Sequence, residues 1–384
     1  MNADADTRPN QPVAVIVPVY RNLQVTRSCL DALVTSDLPE QVSITIIDDN
    51  SPEEDVRIYC RELAERPDIR LVVNEKNLGF VVTSNKGFTL EPDADIILLN
   101  SDTIVSNNWV QRLQACAYRE ENIGTVTPFS NNGTICSYPV FPISNSMPEQ
   151  WNAVELDRAF QSANSGNYYE IPTAVGFCMY IKRSCLNETG PFDTERFGHG
   201  YGEECDFSMR ARAKGWKHVI ATDIFVYHEG AVSFASESAV RKSRADGIMD
   251  KLHPQYHELV SEFIQSDPLY GFRKNVDAIR LLEKPADSIN MLEEHFRYTR
   301  TILERVAENR RAMISEQAQR QQLEKMLADC RLQFAETNSA LVDAQEVVAR
   351  LREESRIHIE QLTDHIRNME QSRSWRYTAW LRRN

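Results

Sequence analysis

An α/β fold with a mostly parallel sheet and flanking helices, followed by one long helix, is what this 384-residue sequence predicts. Three observations carry that expectation. Short continuous apolar runs alternate with segments of helical periodicity at intervals of roughly 25 residues, the rhythm of βαβ units. Several of those runs stop abruptly at Asp, Asn or Ser, at the strand ends where open α/β sheets bind ligands. After Pro285 there is no proline or glycine, and charged residues and glutamine dominate.

The elements follow in order. Residues 1–11 are polar and acidic, so they are expected to be disordered and form no signal peptide. Val13 to Val19 reads as a strand broken only by Pro18, and Leu23, Leu30, Leu33 and Val34 then recur at helical spacing. A second strand over 43–47 closes in Asp48-Asp49-Asn50-Ser51, ahead of a helix over about 52–64. A third strand over 70–73 ends at Asn74, with a helix from about Phe80. The fourth, Ile96 to Leu99, is apolar throughout and ends in Asn100-Ser101-Asp102, with a helix expected next. The pattern then changes. Residues 127–142 are rich in turn formers and read as a long loop. Residues 172–186 read as a strand with Gly176 inside it, residues 202–214 as a helix ending before Gly215, and residues 218–228 as a strand. Residues 236–284 look like a helical extension with polar breaks, completing a head whose main domain is 12–235.

From 285 to 372 the sequence predicts a coiled coil. Leu323, Leu327, Cys330, Phe334, Thr337, Leu341, Ala344, Val348 and Leu351 alternate at spacings of 4 and 3, and after a stutter Ile359, Leu362, Ile366 and Met369 resume the pattern. A lone helix of this kind leaves an apolar stripe in water, so self-association is expected. A helix folded back on the head is the alternative. The tail, 373–384, combines Trp375, Tyr377 and Trp380 with four arginines. That mixture suits an anionic membrane surface or another protein equally well.

A formal net charge of -13 argues against a general nucleic-acid binder. The eight cysteines show no CxxC pair, so a structural zinc site is not expected and reduced thiols in the cytoplasm are. No apolar run approaches the ~20 residues of a membrane span, which leaves only peripheral membrane contact.

Candidate site residues come from the strand ends and one glycine-rich turn. Asp102 ends a buried strand, where a carboxylate needs a charged partner such as a divalent metal carrying a diphosphate. Equally, Ser101, Asp102 or Thr103 can cap a following helix. In Asp48-Asp49 one acid can accept the N3–H of a uracil or thymine ring, while Asp49 or Ser51 can cap the next helix. Asn77 and Gly79 open a helix without any G-x-G-x-x-G or P-loop pattern; they fit either a phosphate approach or a plain turn. Glu203, Glu204 and Asp206 crowd one helix start beside Gly198, Gly200 and Gly202. The dipole favours each acid by only ~0.3–1 kcal/mol, and their repulsion raises one pKa, as a general base requires. His228 at a strand end can ligate a metal or phosphate, or be structural.

Taken together, "VAVIVPVYRN", "IIDDNS", "NLGFVVTSNKG", "LLNSDT", "GYGEECDFSMRARAKGW" and "VYHEG" occur in that order. Over roughly residues 12–235 the chain resembles a family 2 glycosyltransferase of Rossmann-like GT-A fold, of the kind that builds bacterial surface polysaccharides such as O-antigen. The resemblance implies an inverting, metal-dependent hexosyltransferase. Its donor would be a UDP- or dTDP-linked sugar, its cofactor Mg2+ or Mn2+, and its acceptor a glycan or lipid-linked glycan. It would work in the cytoplasm or at the inner face of the membrane. It implies that Asp49 reads the base, that Asn100-Ser101-Asp102 is the D-x-D equivalent with Asp102 and His228 at the metal, and that Pro18, Tyr20, Asn77, Gly79 and Gly176 lie along the donor. It makes Glu204, or its neighbour Glu203, the catalytic base and Asp206 an acceptor-side residue, and it puts residues 127–139 near the active-site mouth. Two alternatives compete: a nucleotidyltransferase, which should carry a glycine-rich loop where this chain reads "PVYRNLQ", and a coiled-coil scaffold with a degenerate transferase head.

Overall fold

The computed structural model describes residues 11–198, 200–230 and 235–371. The N-terminal segment expected to be disordered and the basic-aromatic tail therefore fall largely or wholly outside the described residues. Two compact units are present, residues 1–300 and 301–384.

In the first unit the chain runs β1 (Val13–Val19), α1 (Leu23–Thr35), β2 (Val42–Asp48), α2 (Glu54–Leu63), β3 (Ile69–Val73), α3 (Phe80–Leu90), β4 (Asp95–Leu99), β5 (Thr103–Ile104) and α4 (Trp109–Ala117). It continues with β6 (Ile123–Phe129), α5 (Ala153–Asn164), β7 (Tyr168–Ile171), β8 (Cys178–Ile181), α6 (Arg183–Thr189), α7 (Thr194–Phe197), α8 (Glu203–Arg212), β9 (Lys217–Phe225) and β10 (Tyr227–His228). Three helices follow, α9 (Ala235–Leu252), α10 (Tyr256–Ser266) and α11 (Tyr270–Glu283), before α12 (Ser288–Gln371), an 84-residue helix that starts in the first unit and makes up the described part of the second.

Eight strands form one sheet in the order β3-β2-β1-β4-β8-β6-β9-β7. The first four are parallel to one another, as are β6 and β9, while β8 and β7 run against their neighbours. The two central parallel strands, β1 and β4, are buried at every position because helices cover both faces. Gly87 of α3 lets that helix lie against β1, since a Cβ there would stand 2.4 Å from Ile16 Cγ2. The fold class matches the sequence expectation: a mostly parallel sheet, flanking helices and a long C-terminal helix.

Four local readings are corrected. No helix follows Asp102: Ser101 and Asp102 form a turn into β5, and α4 begins only at Trp109 behind Asn108. Gly176 lies in the turn before β8, not within a strand, and residues 183–189 are helical. Residues 127–129 finish β6, so the long loop starts at Ser130, and it contains a short 3-10 turn, Thr134–Cys136. The strand expected over 218–228 is two strands in different sheets, because the chain leaves β9 at Val226 and β10 pairs antiparallel with β5. Periodicity cannot see that switch, since every residue from His218 to Val226 is buried either way.

Candidate active site

The carboxyl ends of β1, β2 and β4 open on a cavity of about 1550 Å³ whose far walls come from the 173–177 turn, the start of α8 and helices α9 and α10. Pro18, Tyr20, Asp49, Asn77, Gly79, Asn100, Ser101, Asp102, Gly176, Glu203, Glu204 and His228 all line it. Candidates spread over 210 residues of sequence are thus brought to one place, and Asp206 is the exception.

Asp49 sits at the end of β2 and is buried. It caps nothing in α2, whose N-cap is Glu53 without a side-chain cap bond. Its carboxylate instead accepts from Leu78 N–H and Asn74 Nδ2 at Oδ1 and from Gly79 N–H at Oδ2, each at 2.8 Å. Those bonds tie the β2 edge to the loop that starts α3. Gly79, at φ 83°, occupies the left-handed region that favours glycine. Asp48 is spent on its own turn, accepting from Ser51 N–H at 2.8 Å.

Asp102 and His228 meet because β5 and β10 pair with Thr103 opposite His228, and Glu229 N–H donates to the Asp102 carbonyl at 2.9 Å. His228 Nε2 lies 3.3 Å from Asp102 Oδ1. The imidazole is fixed on its other side: Nδ1 donates to the Asn132 carbonyl at 2.8 Å, and the ring stacks on Phe177 at 5.2 Å. That bond assigns the proton to Nδ1 and turns Nε2 toward Asp102, the arrangement of a metal-ligating histidine. Burial lowers the His228 pKa, but the Asp102 carboxylate, the Asn132 carbonyl and Glu229 outweigh it, and the net shift is upward. Thr103 closes the turn by donating to the Asn100 carbonyl at 2.8 Å.

The α8 acids divide. Glu203 is buried and Glu204 half-buried, and Gly176 brings backbone against Glu204, whose Cγ would stand 3.6 Å from a Cβ at that position. Burial, then the charge of Glu204, holds the Glu203 carboxyl well above its usual pKa. Burial also raises that of Glu204, against backbone hydrogen bonds in the first turn that lower it. Asp206 is not among the residues lining the cavity: it is buried between Arg210 Nε at 2.7 Å and His253 Nε2 at 2.8 Å, clamping α8 to the turn between α9 and α10. An acceptor-side role does not fit that placement.

Three buried oxygens lining the cavity have no hydrogen-bond partner in the protein, Asn100 Oδ1, Glu203 Oε2 and Glu204 Oε2, and Asp102 Oδ1 has only the His228 ring at 3.3 Å. Buried polar atoms are costly to leave unpaired, and their convergence on one cavity marks a site that a polar, cationic ligand completes. No group of three or more His, Cys, Asp or Glu side chains able to hold a metal occurs among the described residues, so the Asp102–His228 pair fits a cation that takes further oxygens from a ligand. The sequence reading missed Asn131, Asn132 and Phe177. Asn131 Oδ1 accepts from His228 N–H at 2.7 Å, and its Nδ2 donates to the carbonyls of Asn145 and His228. For Asn131 and Asn132 the sequence offered only the turn-former run placed near the active-site mouth, and for Phe177 no signal at all.

The family model described as glycosyltransferase like family 2 matches residues 9–245, and the chain belongs to that family. Among curated relatives, glycosyltransferase AglE of Haloferax volcanii is 18% identical over 217 residues, covering 56% of this chain and 66% of its own. N-acetylgalactosaminyltransferase 7 of Drosophila melanogaster is 24% identical over 217 residues, 52% of this chain and 36% of its own. The chain therefore spans less than two thirds of either relative. A solved GalNAc-T7 with UDP, GalNAc and Mn2+ aligns with a TM-score of 0.49 at 14% identity, covering 73% of this chain and 57% of that one.

Proposed function

We propose that the protein is an inverting glycosyltransferase that carries a sugar from a UDP- or dTDP-linked donor to a hydroxyl of a glycan or lipid-linked glycan, in cell-surface polysaccharide synthesis. The observation that carries this reading is the convergence of three unpartnered oxygens and the Asp102–His228 pair on one cavity at the sheet's carboxyl edge. At about 1550 Å³ that cavity exceeds the ~300–1,000 Å³ usual for one small ligand, which leaves room for donor and acceptor together.

Asp102 and His228 are suited to hold Mg2+ or Mn2+, which when bound supplies positive charge against the departing diphosphate. Asp49, with three of its roughly four acceptor positions filled by Asn74, Leu78 and Gly79, keeps one for a base N–H. Glu204 accepts the proton of the acceptor hydroxyl while that oxygen bonds to the anomeric carbon and the bond to the diphosphate breaks. Its raised pKa makes it a stronger base than a solvated carboxylate. Glu203, more buried beside it and held toward its neutral form, keeps a second negative charge away from the reacting oxygen. A degenerate head retained only as a scaffold would have no use for buried oxygens left unsatisfied, and family membership sets the nucleotidyltransferase reading aside. No helix among the described residues is long and apolar enough to cross a membrane. A lipid-linked acceptor would be met at the surface, and α12 would supply self-association.

Calorimetric titration of UDP and dTDP with and without Mn2+ tests the centre of this reading. Asp102→Asn should lose at least tenfold of the metal-dependent affinity, about 1.4 kcal/mol, while metal-free affinity holds. Unchanged metal dependence in that variant overturns the assignment.

A further inference from the structure

The exposed stripe on α12 starts much closer to the head than the regular heptads after Leu323 suggest. Glu294 is buried against the head, where its carboxylate takes Arg280 Nη1 and Nη2 at 2.9 and 3.1 Å, and Tyr298 OH reaches Asp267 Oδ2 at 2.7 Å. On the opposite side of those same turns Ile289, Leu292, Phe296, Leu303 and Val306 are 54–69% exposed. Their spacing of 3 and 4, with Thr299 in the empty place, is that of a coiled-coil seam. The helix thus carries two apolar stretches of seam, Ile289 to Val306 and Leu323 to Met369, joined by a stretch in which Met313 stands among Arg310, Glu316 and Arg320. With on the order of fifteen large seam side chains, each roughly half uncovered, a pair of helices would bury on the order of 3,000 Å², above the ~1,600 Å² of a standard stable interface. A second copy of this chain, carrying the same stripe, is the occupant that matches it along its full length.

We propose that two copies pair through α12 in parallel and in register, beginning at Ile289, so that both catalytic heads lie at the same end of the coil. Orientation follows from which layers meet. In register, the small or polar layers Cys330, Thr337 and Ala344 meet their own copies, as do Phe334 and Leu341. The charged layers Glu316 and Arg320 also meet their own copies, and because the two layers lie one turn apart with opposite sign, each side chain can reach the opposite charge diagonally across the seam. Antiparallel registers with good overlap set Phe334 against Thr337 and Leu351 against Arg320, or Leu362 against Glu316, burying apolar side chains against charge. Two heads at one end raise the effective concentration of active sites at a shared acceptor.

Cys330 reports the geometry without any substrate, so this test stands apart from the catalytic assignment. It is an exposed seam residue, whereas the other cysteines are buried or half-buried. Light scattering of the full chain should give twice 44.1 kDa. Copper-phenanthroline oxidation should convert most of the protein to a disulfide-linked dimer on a non-reducing gel, and Cys330→Ser should abolish the link while keeping the dimer mass. Moving the thiol, as Cys330→Ser with Thr337→Cys, should restore it. A monomer, a larger assembly, or a dimer in which either Cys330 or the thiol moved to position 337 fails to link would overturn the proposal.

Discussion

Two neighbouring carboxylates of one helical turn both line the cavity but differ in burial and charge state. Glu204 is half-buried against the Gly176 turn, and Glu203 is the more buried of the two. Glu204→Gln should abolish transfer and leave nucleoside-diphosphate affinity nearly intact. Initial rates check this, and a residual turnover above about a tenth, a barrier change under ~1.4 kcal/mol, would remove Glu204 as the base. A third ionisable residue, His218, sets part of the stability. It is fully buried between the Thr125 hydroxyl at 2.7 Å and the Ser208 carbonyl at 2.8 Å, and burial pushes its pKa down to about 4. Below pH ~6.5 the unfolded imidazole takes a proton that the folded one refuses until about pH 4, so its stabilisation is present above ~6.5 and lost as the pH falls toward 4. Urea unfolding of the wild type and His218→Gln should show the wild type losing up to ~3 kcal/mol more over that window. Parallel curves would show that the imidazole does not titrate in this way.

At the scale of elements, close approaches decide how the site is held. Gly87→Ala gains ~1 kcal/mol of helix propensity but drives a Cβ into Ile16, so α3 must back away from β1 and carry Gly79 with it. A net loss of ~1–3 kcal/mol in chemical denaturation is expected; a neutral result would mean that Ile16 simply repacks. The junction of α11 and α12 rests on Arg280, fully buried with Asp287 Oδ2 at 2.7 Å and Glu294 at 2.9 Å, beneath the Tyr138 hydroxyl. Glu294→Ala leaves a buried guanidinium short of charge and should cost ~3–5 kcal/mol, whereas Arg280→Met with Glu294→Leu and Asp287→Leu should recover much of that loss. The wild-type strand ends, Asp49 and Asp102, were legible in the sequence because an acid closing an apolar run is anomalous in itself. The β5–β10 pairing that joins Asp102 to His228 was not legible, because two strands of two residues each carry no periodic signal.

For the molecule as a whole, the boundary between head and coil lies further along the chain than composition suggests. The sequence changes character near Pro285, but Asp287, Glu294 and Tyr298 all belong to the head's buried network. A chain ending after Arg300 should be a monomer by light scattering with near-wild-type melting of the head. One ending after Leu282 removes Asp287 and Glu294, strands Arg280, and should melt far lower or aggregate. Equal melting of the two truncations would show that this network contributes nothing.

The sequence by itself determined the fold class, the family resemblance and the polar candidates at the strand ends that line the cavity, because apolar runs, helical periods and polar strand ends are local signals that a single chain displays. It also determined the seam, which is a matter of spacing along one helix. Tertiary structure alone decided that Asp206 faces Arg210 and His253 and not the cavity, that Gly176 lies against Glu204, and that Asn131, Asn132 and Phe177 fix His228 in place. Those relations join residues from about 30 to nearly 100 positions apart, or turn on which side of one helical turn faces the cavity. Burial and hydrogen-bond satisfaction settle them only when the whole head has folded.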